Sequence, residues 1–374
     1  MSGNSIGKTL VMTCFGESHG SCIGVTVDGC PAGLPLTEKD LQIELDKRRP
    51  GFSSITTSRR ERDEAEILSG VFKGYTTGAP ITVIVRNRDV DSKPYEKIRD
   101  TPRPGHADYP ARIRYGSFQD YRGGGRFSGR VTIAFVIAGA ISKILLRRIG
   151  VEVLAHTIQI GRVKLSSSLS YEEIRRNTYE NPVRCADLKV AKEMEEEIIR
   201  AAEEGDSVGG IVECLGLNLP IGLGSPIFDT LDGDLAKMLF NIPAVKGVEF
   251  GAGFQAASMK GSENNDEYTI REGKVVTTTN NAGGILGGLS TGMPLVARVA
   301  FKPTASINRK QKTVDLRTMK ETDLILEGRY DPCIVPRAVP VVECSVAFVL
   351  ADHALRQGFI PQVLSLNRKG ELKD

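Results

Sequence analysis

Two of the chain's four histidines sit in glycine-rich turns: His19 in GESHG (Gly16–Gly20) and His106 in RPGHADY (Arg103–Tyr109). Imidazole is the side chain whose ordinary pKa lets it gain and lose a proton near neutral pH. The second segment runs on into YRGGGRFSGR (Tyr121–Arg130). Residues 99–130 hold seven arginines (Arg99, Arg103, Arg112, Arg114, Arg122, Arg126, Arg130) against three aspartates and no lysine. A guanidinium fork grips carboxylate or phosphate at two points, whereas an ammonium acts as a point charge. Proton transfer beside fixed positive charge predicts an enzyme for a strongly anionic substrate. A merely solvated basic face fits less well, because Pro, Gly and His break the run and it carries no helical stripe.

The elements that must position these groups can be read from periodicity. Thr9–Phe15 and Ile23–Val27 read as strands, which puts His19 in a turn at the end of a sheet. A helix follows, capped by Thr37 with Asp40 at its third position and a Leu36/Leu41 staple, and stopped by Pro50-Gly51. Arg48 and Arg49 therefore emerge at its C-terminus. Ile67–Phe72, Pro80–Arg86, Glu152–Ile160, Gly209–Leu217, Val245–Phe250 and Leu295–Phe301 read as strands. Val131–Ile149 is mostly apolar all round until its basic end and reads as a long buried helix, and Pro336–Arg356 reads as a second. Ala186–Glu204 reads as an exposed helix and Gly233–Phe240 as a short one. Strands gather around a few apolar helices without strict β–α alternation, so the expected class is α+β, in one compact unit over 1–374. Gly125-Arg126 before Arg130, and Gly328-Arg329 before Arg337, hint faintly at an internal duplication.

Composition excludes more than it assigns. The chain has 374 residues, 25% charged and 40% hydrophobic, with a net charge of +3. That excess is too small to predict general nucleic-acid or membrane binding. An RNA-binding reading of residues 99–130 finds interleaved aromatics there, Tyr109, Tyr115, Phe118, Tyr121 and Phe127, but leaves the glycine motifs near the C-terminus unexplained. Seven cysteines form no CxxC pair and no metal-ligand spacing, which fits reduced thiols in the cytoplasm. MSGNSIGKTL lacks the apolar run of a signal peptide. Two motif matches mislead. GAGFQA (Gly251–Ala256) spells a dinucleotide fingerprint without the helix that must follow it, and GNSIGKT (Gly3–Thr9) is one residue short of a P-loop.

In order along nearly the whole chain stand GESHGSCIGVTVDGCPAG, DKRRPG, RPGHADY, DYRGGGRFSGR, EGDSVGG, PAVKGVEFGAGF, NNAGGILGG, KPTASI, and GRYDPC running to LADHAL. With these segments the chain resembles the chorismate synthase family. The resemblance implies a β-α-β sandwich fold and a homotetramer. It also implies loss of phosphate and a proton from 5-enolpyruvylshikimate 3-phosphate to give chorismate, with reduced FMN required but no net redox change. NADPH is a candidate reductant. A flavin or pyridine-nucleotide oxidoreductase using the same pocket is the competing enzyme reading.

The resemblance also implies site residues. Arg48, Arg49, Arg130 and Arg337 would hold substrate, with Ser18 in support. His19 would serve the departing phosphate, His106 would set the protonation of the reduced flavin, and Asp352 in LADHAL would assist proton removal. FMN contacts would fall on Arg126, Phe127, Ser128, Pro243, Ala244, Gly287, Lys302, Pro303, Thr304, Ala305, Ser306 and Arg329. Phe127, Gly129, Ser54 and Tyr330 stand where the family more commonly has Ser, Ala, Arg and His.

Overall fold

The structure is a computed structural model describing residues 3–49, 51, 61–326, 328 and 330–364. Its first sheet is antiparallel in the order β1-β2-β3-β7-β4, from β1 (Ser5–Ile6), β2 (Val11–Gly16), β3 (Cys22–Asp28), β4 (Ala65–Ser69) and β7 (Ile81–Arg86). A small ladder, β5 (Val71–Phe72) with β6 (Tyr75–Thr76), leaves it at Gly70, where the expected single strand 67–72 divides. The second sheet, also antiparallel, runs β11-β16-β10-β8-β9, from β8 (Glu152–Ile160), β9 (Val163–Lys164), β10 (Gly210–Leu217), β11 (Val245–Phe250) and β16 (Leu295–Phe301). Hairpins β12 (Tyr268–Arg271)/β13 (Lys274–Thr277), β14 (Ile285–Leu286)/β15 (Leu289–Ser290) and β17 (Gln311–Asp315)/β18 (Lys320–Leu324) lie outside both.

Nine α-helices are present among the described residues. They are α1 (Glu38–Arg48), α2 (Lys93–Lys97), α3 (Asp108–Arg114), α4 (Thr132–Arg147), α5 (Tyr171–Asn177), α6 (Leu188–Glu203), α7 (Leu231–Phe240), α8 (Gly261–Asn264) and α9 (Val335–Arg356). α4 and α9 fill the space between the sheets: α4 packs on β3 of the first sheet, α9 on β8 and β10 of the second, and the two helices pack on each other. That is the layered α+β architecture expected from strands gathered around a few apolar helices without strict β–α alternation. The helical stretch Gly129–Arg147, which contains α4, and α9 have the length and hydropathy of membrane spans, yet both are largely buried inside the protein.

Close packing of α4 on α9 requires Gly139, because a Cβ there would stand 2.2 Å from the Cβ of Cys344. Lower down, the buried Lys143 ammonium bridges Glu44 of α1 (2.7 Å) and Glu343 of α9, tying the three helices together by charge. Burial alone would raise the Glu44 carboxyl, but the neighbouring Lys143 and Lys47 bring it down to about 2. α1 starts where expected: the Asp40 carboxylate accepts from the Thr37 amide at 2.8 Å and its hydroxyl at 2.7 Å, and Leu36 and Leu41 are buried. The cysteines are unpaired, and burial pushes the Cys30, Cys333 and Cys344 thiols up to about 12. Such thiols are unreactive.

Candidate active site

α4 and α9 both begin at one cleft of about 590 Å³. Its wall is completed by Arg48 at the end of α1, the turn 103–107, the glycine tract, the α7–β11 connection and the end of β16. Two buried helices starting side by side direct free backbone N–H groups and positive dipole ends toward the space between them. Arg130 precedes α4 and Arg337 lies in the first turn of α9, so the helix geometry brings two guanidinium groups to the same place.

These arginines arrive already held. Asp63 accepts from Arg48 Nη1 at 3.1 Å through one carboxylate oxygen and from Arg130 Nη1 at 2.9 Å through the other, and its side chain is fully buried. Arg48 also donates to Thr132 Oγ1 (3.2 Å) and the Gly129 carbonyl (3.0 Å). Arg130 Nε donates to Asn87 Oδ1 (2.5 Å), while its buried Nη2 has no hydrogen-bond partner and stands 3.7 Å from Glu61. Burial, with Arg337 and Arg130 close by, pulls Arg48 below its usual value, and Asp63 opposes that pull. Arg337 pairs with Asp331 at 2.5 Å and reaches the Arg48 carbonyl at 3.4 Å.

His106 lies in the turn closed by its own amide donating to the Arg103 carbonyl (3.2 Å), just before α3. Its Nδ1 is 2.6 Å from Asp108 Oδ1, and Arg103 grips the same carboxylate with Nε at 2.7 Å and Nη2 at 2.8 Å. Burial raises the Asp108 carboxyl, but hydrogen bonds from Arg103 and His106 hold it well below the usual carboxylate range. His19 occupies the β2–β3 turn, with Nδ1 3.0 Å from Ser92 Oγ and its ring edge-on to Tyr95 at 5.2 Å. Gly123 separates it from the cleft: a Cβ at 123 would stand 2.2 Å from His19 Cδ2, 2.4 Å from Nε2 and 2.9 Å from Ser18 Oγ.

The structure therefore gathers Arg48, His106, Arg126, Phe127, Ser128, Arg130, Pro243, Ala244, Lys302, Thr304, Ala305, Ser306 and Arg337 on one wall. Pro303 lies between wall residues without lining the cleft itself, and His19 and Ser18 sit behind Gly123. Three assignments fall elsewhere. Arg49 caps α1 with a side chain 45% exposed and faces Asp46 at 3.5 Å. Gly287 turns the β14–β15 hairpin, away from this wall. Asp352 is set apart from the cleft by helix length. It stands fifteen residues beyond Arg337 on α9, roughly 22 Å along the axis, and is buried there accepting the backbone amides of Thr9 (2.7 Å), Leu10 (2.9 Å) and Lys8 (3.2 Å). Arg329 and Ser54 lie outside the described residues.

In its place Asp331, in GRYDPC, is the carboxylate on the wall among the described residues. It was within a quoted motif and could have been found there. Arg103 and Asp108 were likewise inside RPGHADY, whereas nothing in the sequence joins Asp63 to Arg130. Lys302 adds a cation whose pKa burial and nearby Lys246 lower. The wall thus presents Arg48, Arg103, Arg126, Arg130, Arg337 and Lys302 against a single carboxylate, with apolar Phe127, Ile242, Phe301 and Val341 between them.

A family model described as "Chorismate synthase" matches residues 10–355. The chain is 55% identical over 361 residues to a chorismate synthase of Dehalococcoides mccartyi strain BAV1, covering 96% of this chain and 99% of the relative. It is 54% identical to that of Methanosarcina barkeri strain Fusaro (96% and 98% covered) and 52% identical to that of Korarchaeum cryptofilum (95% and 98%). Among solved structures, a crystal structure of chorismate synthase superposes with a TM-score of 0.76 at 32% identity, covering 94% of this chain and 93% of the other.

Proposed function

The chain belongs to the chorismate synthase family, a lyase of the last shikimate-pathway step, and we propose that the cleft at the starts of α4 and α9 is where its elimination occurs. One observation carries the assignment: among the described residues, six cations and one carboxylate line a single cleft that also has apolar patches. 5-Enolpyruvylshikimate 3-phosphate has two carboxylates and a phosphate, so binding it calls for fixed guanidinium groups. Arg48, Arg130 and Arg337 take those anions. Asp63 and Asp331 hold the three forks in place beforehand, so little reorganisation is left for the moment of reaction.

The wall also fits reduced FMN. Its volume is large for the substrate alone, its apolar patches suit a planar ring, and Arg126 and Lys302 supply charge for the cofactor's phosphate. Arg126, Phe127, Ser128, Pro243, Ala244, Lys302 and Thr304–Ser306 would hold it. The chemistry such a cofactor supplies is electron density lent to the allylic centre and recovered before product leaves, without net redox change.

The remaining roles belong to this chain's own side chains. His19 stands directly behind Gly123, a cleft-lining glycine, and across that missing side chain its Nε2 would reach the leaving phosphate. His106, with Nδ1 committed to Asp108, offers Nε2 to the cofactor side. Asp331 is the carboxylate placed to receive the lost proton. A homotetramer is the assembly proposed; exposed Ile221, Ile227 and Phe228 suit a face covered by another copy.

The test is anaerobic turnover with prereduced FMN. Phosphate and chorismate should appear together while reductant stays constant. Reductant loss matching product would replace the lyase assignment of the cleft with an oxidoreductase one.

A further inference from the structure

We propose that Arg103 and Asp108 form a balanced ion pair that positions His106 and sets the pH at which its Nε2 works. This rests on the cleft assignment above and adds two positioning residues to it.

Asp108 is the first residue of α3, and its carboxylate meets four donors: the Arg103 amide (3.1 Å), Arg103 Nε (2.7 Å), Arg103 Nη2 (2.8 Å) and His106 Nδ1 (2.6 Å). An ionised carboxylate can only accept, so the proton of the neutral imidazole lies on Nδ1 and the lone pair on Nε2. Nε2 is left toward the glycine tract, where a side chain at Gly124 would come within 3.2 Å of it. Arg103 is almost fully buried, and its Nη2 also lies 3.1 Å from His106 Nδ1 and 3.4 Å from Nε2. The ring therefore feels a negative charge through Asp108 and a positive charge through Arg103 at nearly equal range. Asp108 favours the imidazolium and Arg103 disfavours it.

Other elements contribute smaller, mostly positive, terms. Lys302 at the end of β16 packs beside Gly105, Arg126 comes from the glycine tract, and Arg48, Arg130 and Arg337 stand on the rest of the wall. Tyr95 of α2 lies 5.6 Å from the Arg103 guanidinium, and Tyr330 and Asp331 come from the segment before α9. In this cationic setting Asp108 is the negative charge in direct contact with His106. Without it the ring would lose its one charged acceptor, and its orientation would be set by packing and the Arg103 guanidinium alone.

Opposed substitutions read this balance. Asp108→Asn keeps the shape and leaves Arg103 uncompensated, so the limb of the kcat–pH profile that His106→Ala abolishes should move to lower pH. Arg103→Met leaves Asp108 uncompensated, and the same limb should move to higher pH. Each displacement should be about one pH unit or more, with plateau kcat down about ten- to a hundredfold and KM little changed. Arg103→Lys and Asp108→Glu keep the charges and should hold the limb near its wild-type position, which keeps the test open if a neutral variant folds poorly. FMN absorbance titration reports whether each cleft is intact. If His106→Ala removes the limb while Asp108→Asn and Arg103→Met leave it in place, or move it the same way, the ion-pair proposal falls and the cleft assignment stands. If His106→Ala retains wild-type turnover and profile, the cleft role of His106 falls with it.

Discussion

Substituting Gly123 by alanine tests whether His19 acts through the window behind the glycine tract. The added Cβ would lie 2.2 Å from His19 Cδ2 and 2.4 Å from Nε2. Ordinary carbon contacts need about 3.5–4.0 Å, so the ring must retreat by more than ~1 Å. It has little room, because Ser92 holds Nδ1 at 3.0 Å and Tyr95 abuts the ring edge. Misplacement of a catalytic group by about 1 Å can cost on the order of a hundredfold in rate, so kcat for phosphate release should fall about that far. The backbone adds a separate cost: Gly123 has φ +61°, and alanine there is less stable by about 1–2 kcal/mol. Gly150→Ala isolates that cost, since φ is +72° and no heavy atom lies within 4 Å of its Cβ. Gly123→Ala should lose at least as much stability as Gly150→Ala in urea unfolding, and only Gly123→Ala should lose turnover per folded molecule under anaerobic conditions with prereduced FMN. If kcat of Gly123→Ala falls no further than that of Gly150→Ala, His19 has no part in the chemistry.

Four shorter expectations follow from the same geometry. Arg48→Ala should raise KM and lower stability, because it removes a substrate fork and leaves a buried carboxylate short of a partner, whereas Arg49→Ala should leave the apparent affinity for substrate near wild type; the reverse order would misplace the substrate. Asp352→Ala should cost about 2–5 kcal/mol in urea unfolding by orphaning the amides of Lys8, Thr9 and Leu10, with turnover per folded molecule retained, while Asp331→Ala should cut kcat. Asp63→Asn should destabilise by about 3 kcal/mol or more and raise KM, because it weakens the hold on two guanidinium groups at once. His353, which burial and Arg356 keep below its usual pKa against the pull of Asp234, binds a proton more readily unfolded than folded. Stability should therefore rise with pH up to about 6.5 and fall away on acidification below it, and His353→Asn should flatten that slope in thermal melts at constant ionic strength.

The long elements were legible because burial dictates their composition. α4 and α9 are buried and mostly apolar around most of their circumference since both touch sheet and helix, and α1 carries a complete cap. The short elements between 93 and 114 were not. α2 and α3 are polar and brief, and α3 begins at a carboxylate held by Arg103 rather than by a local cap. Tertiary contacts decide such segments, and sequence periodicity records nothing of them. Hairpins β12/β13 and β17/β18 were missed for the same reason, with largely exposed strands and a weak two-residue alternation.

Site residues divide along a related line. A motif names residues that travel together, but a helix carries its two ends far apart. Arg337 and Asp352 belong to one motif run and one helix, yet only the first reaches the cleft, because fifteen residues of α-helix carry the second to the opposite end of the layer. Arg48 and Arg49 separate more sharply still: the helix end turns one guanidinium inward to Asp63 and the other out to Asp46. What positions the inward arginines is a carboxylate 67 residues from Arg130, in a stretch with no motif. Arginine type and helix termini thus announce an anion site, while the buried counter-charges that aim it are visible only in three dimensions. A cluster of guanidinium groups without Asp63 and Asp331 would repel itself apart. With them, the forks stay fixed at the mouth of two helices, and incoming anions compete for donors that are already aligned.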